Sequence, residues 1–190
     1  VSELWDAEAA RFDDEPDHGL RDPATRAAWL ELLTAHLPAA PARVADLGCG
    51  TGTLSVLMAD AGHVVDGVDF SPEMVARARE KGADRSGVTF AVADAGRPPL
   101  EPGRYAAVLC RHVLWALPDK AAALARWVDL LHDDGRLVLV EGSWHTGAGL
   151  TAAETEELLR SAGRAPATYR LDDPVLWGGP ITDERYLVVA

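Results

Sequence analysis

Apolar residues along this chain repeat with a period of two in some stretches and about 3.6 in others, and the two periods alternate. Short apolar runs predict strands over 43–47, 63–68, 88–92, 105–110 and 136–141, with two more near 167–171 and 185–190. Helical spacing fills the intervals at 53–61, from Ser71-Pro72 to Gly82, at 120–131 and at 151–160. Gly62 is placed as a left-handed cap, and Thr151 with Glu154 as a capping box. Ahead of the first strand, Trp5 and Phe12 are the large apolar residues of an amphipathic helix over 3–12, broken by the acidic, proline-bearing segment 13–19. A second helix starts at Asp22-Pro23, an N-cap followed by proline at the first helical position. Trp29, Leu30, Leu33 and Leu37 form its apolar face, and Pro38 and Pro41 end it.

Strands alternating with helices on short loops predict an α/β fold: a doubly wound, mostly parallel sheet. The last connection, 172–184, carries no helical pattern, so the final strand is expected to run antiparallel to its neighbour. At 190 residues the chain suits one domain, 1–190, with 1–40 as an N-terminal helical cap.

Composition narrows the function. The net charge of −12 argues against a nucleic-acid partner, which needs a basic face. Half of that charge falls in the first 40 residues, and two lysines stand against sixteen arginines. Asparagine and glutamine are absent, which removes every mechanism that needs a side-chain amide. Two cysteines, Cys49 and Cys110, are too few for a disulfide framework. With no signal-peptide pattern and no apolar run near membrane-span length, a cytoplasmic protein without a membrane partner is expected.

In a doubly wound sheet ligands bind beyond the carboxyl ends of the strands. The first strand ends in Asp46-Leu47-Gly48-Cys49-Gly50-Thr51-Gly52, a glycine-rich turn opening a helix. Such a turn lets a ligand lie against the backbone, and the helix start favours an anion. Asp46 adds a carboxylate, which suits a ligand carrying both signs of charge. The second strand ends in Asp69-Phe70, with Asp69 at the distance from Gly48 where an acid reaches a ribose diol. The third ends in Asp94-Ala95, the fourth in Cys110-Arg111-His112, the fifth in Glu141. For Asp46, Asp69 and Asp94 the competing reading is a cap on the following helix or turn. The dinucleotide pattern G-x-G-x-x-G fits poorly, since the third glycine comes one residue early and Asp46 would repel a pyrophosphate.

Asp46–Gly52, Gly67-Val68-Asp69-Phe70-Ser71-Pro72 and Ala93-Asp94-Ala95 resemble, as a set, the motifs of class I S-adenosylmethionine-dependent methyltransferases. Arg111-His112-Val113-Leu114-Trp115 resembles the segment after the fourth strand in their small-molecule branch. The resemblance implies a Rossmann-like, seven-stranded sheet of order 3-2-1-4-5-7-6 with S-adenosyl-L-methionine as cofactor. It further implies that Gly48, Cys49, Gly50 and Gly52 hold the methionine part, Asp69 the ribose, and Asp94 and Ala95 the adenine. Phe70 covers an adenine face, Asp46 helps hold the ammonium, Arg111 joins the cofactor site, and Trp5 and Phe12 belong to a helix that closes over it.

A small-molecule acceptor is expected, because signatures for adenine, cytosine-C5 and ribose methylation are missing and neither Lys81 nor Lys120 falls near a strand end. His112, His145 and His18 are the candidates for a catalytic base at an oxygen or nitrogen acceptor. His36, His63 and His132 read as surface residues. No histidine pair has metal-ligand spacing, so no metal is expected. Trp144 and Trp177 are candidate walls of an acceptor pocket, and Asp13–Asp17 reads as a solvated loop or a guide for a cationic acceptor. Two other classes stay open: a non-catalytic S-adenosylmethionine-binding subunit or regulator, and a nicotinamide-dependent oxidoreductase.

Overall fold

The computed structural model describes residues 2–190, with side chains from Trp5 onward. In chain order it contains α1 (Ser2–Glu8), α2 (Pro16–Gly19), α3 (Pro23–His36), β1 (Arg43–Leu47), α4 (Thr53–Asp60), β2 (Val64–Asp69), α5 (Pro72–Gly82) and β3 (Val88–Val92). Then come β4 (Tyr105–Arg111), α6 (Lys120–Leu130), β5 (Leu131–Ser143), α7 (Ala152–Ser161), β6 (Ala167–Arg170) and β7 (Glu184–Val189). The seven strands form one sheet of order β3-β2-β1-β4-β5-β7-β6. Pairing is parallel from β3 across to β5, while β7 runs antiparallel to both β5 and β6.

Alternation along the strands feeds two cores. Val108 and Cys110 of β4, Leu137 and Leu139 of β5, and Tyr186 of β7 face α6 and α7, around buried Trp127 and Leu159. Their neighbours Ala107, Leu109, Val138, Val140 and Leu187 face the other way, onto Trp29 and Leu33 of α3 and Leu57 and Met58 of α4. Such burial, at roughly 1.5–3 kcal/mol per large side chain, is the main favourable term. The caps form as the sequence predicts: Asp22 accepts from Ala24 and Thr25 N–H, Ser71 from Met74 N–H, and Thr151 and Glu154 close a capping box.

Differences from the sequence reading have local causes. The first helix ends at Glu8, and Phe12–Asp14 forms a separate 3₁₀ turn. The acidic segment then holds one more helical turn, stopped by Leu20 at φ 49°. β5 begins five residues earlier than its apolar run, because Leu131 already pairs with Tyr105 before the exposed His132-Asp133-Asp134 segment shifts the register and Arg136 pairs with Ala107. His63 is buried rather than on the surface.

Candidate active site

Strand order reverses between β1 and β4, and a cavity of about 510 Å³ lies among the loops that follow the strands. Its size is that of a small-molecule site. Gly48 and Gly50 of the turn after β1 line it, as do Asp69, Phe70 and Met74 at the end of β2 and in α5. The turn after β4 contributes Arg111, His112, Val113, Trp115 and Ala116. Trp144 and Ala148 come from the loop after β5 and Arg185 from β7, while Trp5, Phe12, Glu15, Asp17 and His18 reach in from the N-terminal segment. A side cavity of about 40 Å³ continues under the turn, lined by Asp46, Cys49, Thr51 and Arg111 among others.

The turn needs its glycines for different reasons. Gly48 has φ +77°, and a Cβ there would sit 2.3 Å from a Val113 methyl. Gly50 has φ +54° and lies beneath Phe12, whose ring stacks on His18 with centroids 4.1 Å apart. Gly52, expected to touch a ligand, instead lets the start of α4 pack on Ala78 and Phe90, where a Cβ would come within 2.9 Å, and it lines neither cavity. The Gly48 and Cys49 N–H groups both donate to Val68 O, which ties the turn to β2.

Asp69 is held by its own strand end. Its two carboxylate oxygens accept the Gly50 and Ser71 N–H groups, each at 2.9 Å, and burial pushes its pKa up against those hydrogen bonds. Each oxygen keeps a lone pair for a ligand. Asp46 is buried and accepts from Ser55 Oγ; burial raises its pKa to about 6, opposed by that hydrogen bond and by the Arg111 charge. Arg111 donates to Asp17 O at 2.6 Å and lies 5.0 Å over the Trp29 ring.

The turn after β4 is built on Glu141. This carboxyl is fully buried, its Oε1 accepts from Val113 N (3.1 Å) and Leu114 N (2.8 Å), and Oε2 has no partner among the described residues. Burial raises its pKa to about 8. His112 takes φ +57°, which is uncommon for a residue with a Cβ and marks a strained position at the cavity. Its ring meets Trp144 edge-on at 5.2 Å and stacks at 6.1 Å on Trp177. Burial, then the Arg111 and Arg185 charges, push its pKa well below the ordinary histidine value. His18 is lowered to about 4 for the same first reason.

The structure brings together Trp5, Phe12, His18, Gly48, Gly50, Asp69, Phe70, Arg111 and His112, with Asp46 and Cys49 in the side cavity. Besides Gly52, three expected residues lie outside the cavity lining. His145 is exposed on the outer side of the loop after β5, where Asp183 Oδ1 accepts its N–H at 2.8 Å and lies 2.9 Å from its ring nitrogen. Asp94 is exposed and accepts from Gly96 N–H, the turn-capping alternative. Ala95 is buried in the core, where its carbonyl accepts from Trp127 Nε1. Trp177 stands behind the wall that Trp144 forms directly.

Lys81, distant from every strand end in sequence, reaches the turn from α5: its Nζ donates to Thr51 and Thr53 and pairs with Asp13 at 2.7 Å. Asp13 therefore fastens the N-terminal segment over the glycine turn rather than remaining solvated. Trp115 belongs to the segment after the fourth strand that the resemblance singled out, whereas Met74 and Arg185 have no sequence signal that places them here; for Arg185, spacing does not reveal which face of a late antiparallel strand meets the cavity. Among the described residues, no group of three acidic, histidine or cysteine side chains is arranged to hold a metal ion, and no helix is long and apolar enough to cross a membrane.

Sheet order, glycine turn and the acid at the end of β2 together define a Rossmann-like methyltransferase fold. A family model described as "Methyltransferase domain" matches residues 44–135. Trans-aconitate 2-methyltransferase of Streptomyces coelicolor is 36% identical over 158 residues, 80% of this chain and 50% of that protein. Ubiquinone biosynthesis O-methyltransferase of Xanthomonas oryzae pv. oryzae is 36% identical over 137 residues, 71% and 54% of the two chains. The chain thus spans about half the length of these curated relatives. The structure of Burkholderia thailandensis 1,6-didemethyltoxoflavin-N1-methyltransferase, with 1,6-didemethyltoxoflavin and S-adenosylhomocysteine bound, superposes with a TM-score of 0.70 at 26% identity, covering 98% of this chain and 86% of that one. The chain belongs to the class I S-adenosylmethionine-dependent methyltransferases.

Proposed function

We propose that this chain transfers a methyl group from S-adenosyl-L-methionine to an oxygen or nitrogen of a small metabolite. The observation that carries the reading is one continuous cavity with two unlike halves. Glycine turn and Asp69 line one half; the aromatic wall of His112, Trp115 and Trp144 lines the other. The relatives named above support a small-metabolite acceptor, because their names specify trans-aconitate, ubiquinone biosynthesis and a toxoflavin precursor.

The donor set fits an aminoacyl nucleoside. We assign Asp69 to the ribose hydroxyls, because its backbone hydrogen bonds fix the carboxylate and leave acceptor capacity on both oxygens. Asp46 carries the charge for an ammonium and Arg111 the charge for a carboxylate, and Gly48 lets Val113 pack against the turn that lies between them. Phe70 and Met74 supply apolar contact for the base. Residues 1–40 act as the cap, with Phe12 and His18 over the turn.

When bound, S-adenosyl-L-methionine supplies an activated methyl carbon with a neutral thioether as leaving group. The chain contributes alignment, which accounts for most of the rate in such a displacement. It also contributes a proton acceptor for a hydroxyl, or for a protonated amine that must lose its proton before its lone pair can attack. His112 suits that role: its ring lines the acceptor half and is neutral at neutral pH. His18 is also neutral and meets the cavity from the cap.

Incubation with methyl-labelled S-adenosylmethionine and a metabolite extract of the source cells, read by mass spectrometry, tests the activity. In a thermal melt, S-adenosylhomocysteine at about 100 times its Kd stabilises the native state by about 2.7 kcal/mol. Asp69→Ala should remove that shift and keep the unliganded melt cooperative. A variant that retains the full shift refutes the ribose assignment.

A further inference from the structure

Arg185 is the one residue of β7 that meets the cavity, and its guanidinium is oddly placed for a structural ion pair. The side chain is 17% exposed, and its guanidinium carbon lies 4.2 Å over the Trp177 ring centroid. None of its five N–H donors makes a hydrogen bond among the described residues, and Nε is buried without a partner. The nearest carboxylate, Asp183, stands 3.9 Å away at Oδ2, too far for a hydrogen bond, and its other oxygen is occupied by the His145 N–H and ring. The terminal nitrogens of Arg185 are not buried and stay open to a ligand from the cavity.

The surroundings say what would fill them. In the acceptor half, Trp115 and Trp144 meet edge-on at 5.5 Å, and Trp144 meets His112 in the same way at 5.2 Å. Trp144 is held firmly: its N–H donates to Ala148 O, its carbonyl accepts from Gly147 N–H, and Gly149 fits against its ring only because a Cβ is missing there. A wall of contiguous aromatic rings favours a flat molecule laid against it. The charges bearing on the His112 ring are those of Arg111 and Arg185 (with His18 when protonated), all positive. The cavity's carboxylates, Glu15, Asp17 and Asp69, belong to the cap and to the end of β2.

From this geometry we infer that the acceptor is a flat, conjugated or aromatic carboxylate, seated against the wall of the Trp115, Trp144 and His112 rings with its carboxylate on the guanidinium of Arg185. A guanidinium offers two parallel N–H donors to a carboxylate, and its place over the Trp177 ring holds it at the cavity. The anion enters a protein of net charge −12 because this half of the cavity is locally cationic. The inference deepens the proposed activity and rests on it for the identity of the acceptor half.

The test uses the full chain with S-adenosylhomocysteine, titrated with benzoate, cinnamate and 4-hydroxybenzoate and with the three corresponding uncharged amides, and read by tryptophan fluorescence. At least one acid should bind about tenfold or more tightly than its amide. Arg185→Gln should erase that preference, and Arg185→Lys should keep part of it, while both retain the thermal shift given by S-adenosylhomocysteine. Acids that bind no better than amides, no acid that binds, or an Arg185→Gln protein that still discriminates would each overturn the inference. If Arg185→Gln does not fold, the wild-type comparison and Arg185→Lys decide. Absence of any S-adenosylhomocysteine shift in the wild type counts against the methyltransferase reading, and the acid–amide comparison without it still reports on the anion site.

Discussion

Glu141 predicts an unusual dependence of stability on pH. The carboxyl is fully buried, gives one oxygen to two backbone N–H groups, and leaves the other without a partner. Its pKa rises from 4.5 to about 8. Below the lower value the group is neutral in folded and unfolded chains and costs nothing. Between the two, the unfolded chain releases its proton while the folded chain retains it, so stability falls as pH rises and levels off above about 8. At 1.36 kcal/mol per unit, the whole rise corresponds to about 5 kcal/mol. Asp46 contributes in the same direction, but its shift ends at about 6. Most of the decline between pH 6.5 and 8.5, about 2 kcal/mol, therefore belongs to Glu141.

Glu141→Gln separates the contributions. The amide oxygen can still accept from Val113 and Leu114, so the turn keeps its anchor, while the NH₂ is left to face the site where Oε2 had no partner. That loss costs about 1–3 kcal/mol at low pH. The variant should consequently start below the wild type and converge on it, or overtake it, as pH rises. Urea unfolding at a series of pH values gives both curves; groups such as Lys81 contribute equally to each and cancel in the difference. A Glu141→Gln curve that falls as steeply as the wild type above pH 6.5 would show that Glu141 is ionised in the folded protein, and the burial argument would fail.

Gly48→Ala combines a positive φ with a Cβ pressed against Val113, so we expect a loss of about 2–4 kcal/mol in urea unfolding and weakened S-adenosylhomocysteine binding; a wild-type midpoint would mean that the turn relaxes freely. Asp46 must be ionised to hold an ammonium, so S-adenosylhomocysteine affinity should fall as pH drops through about 6, which calorimetric titration at two pH values would check; equal affinity at pH 5 and 7.5 would remove Asp46 from the donor site. Asp13→Ala breaks the link from the cap to Lys81 and Thr51; a partly exposed pair of this kind is worth up to about 1 kcal/mol, so limited proteolysis within 9–20 should quicken about fivefold, and an unchanged rate would show the cap is held elsewhere.

The sheet order and its antiparallel edge were legible in the sequence because each depends on local facts: period-two runs, a cap, or a connection too irregular to be a crossover helix. Asp69 was legible for a related reason, since one strand end fixes both its position and its direction. Asp94 shared that position but not the outcome. Its carboxylate caps the Gly96 N–H two residues on, a short-range bond that competes with any ligand, and only the structure shows which partner it takes.

The acceptor half is harder to read because its residues come together only through the tertiary fold. His145 looked equivalent to His112, as each follows a strand on the same side of the sheet. The difference lies in their partners. Asp183, 38 residues further along, draws the His145 ring outward, whereas Glu141 fixes the backbone after β4 and strained φ directs His112 inward. Arg185 shows the same limit from the other side. Being arginine does not place it in a cavity; pairing of β7 with β5 does, by setting Arg185 opposite Gly142, two residues before Trp144. A Cβ at Gly142 would come 2.8 Å from the Glu184 carbonyl oxygen, while its 3.6 Å approaches to the Arg185 stem and the Trp144 ring are ordinary contacts. The glycine that looks like a strand interruption therefore serves the close pairing of β7 with β5, and that pairing is what brings Arg185 to the cavity beside Trp144.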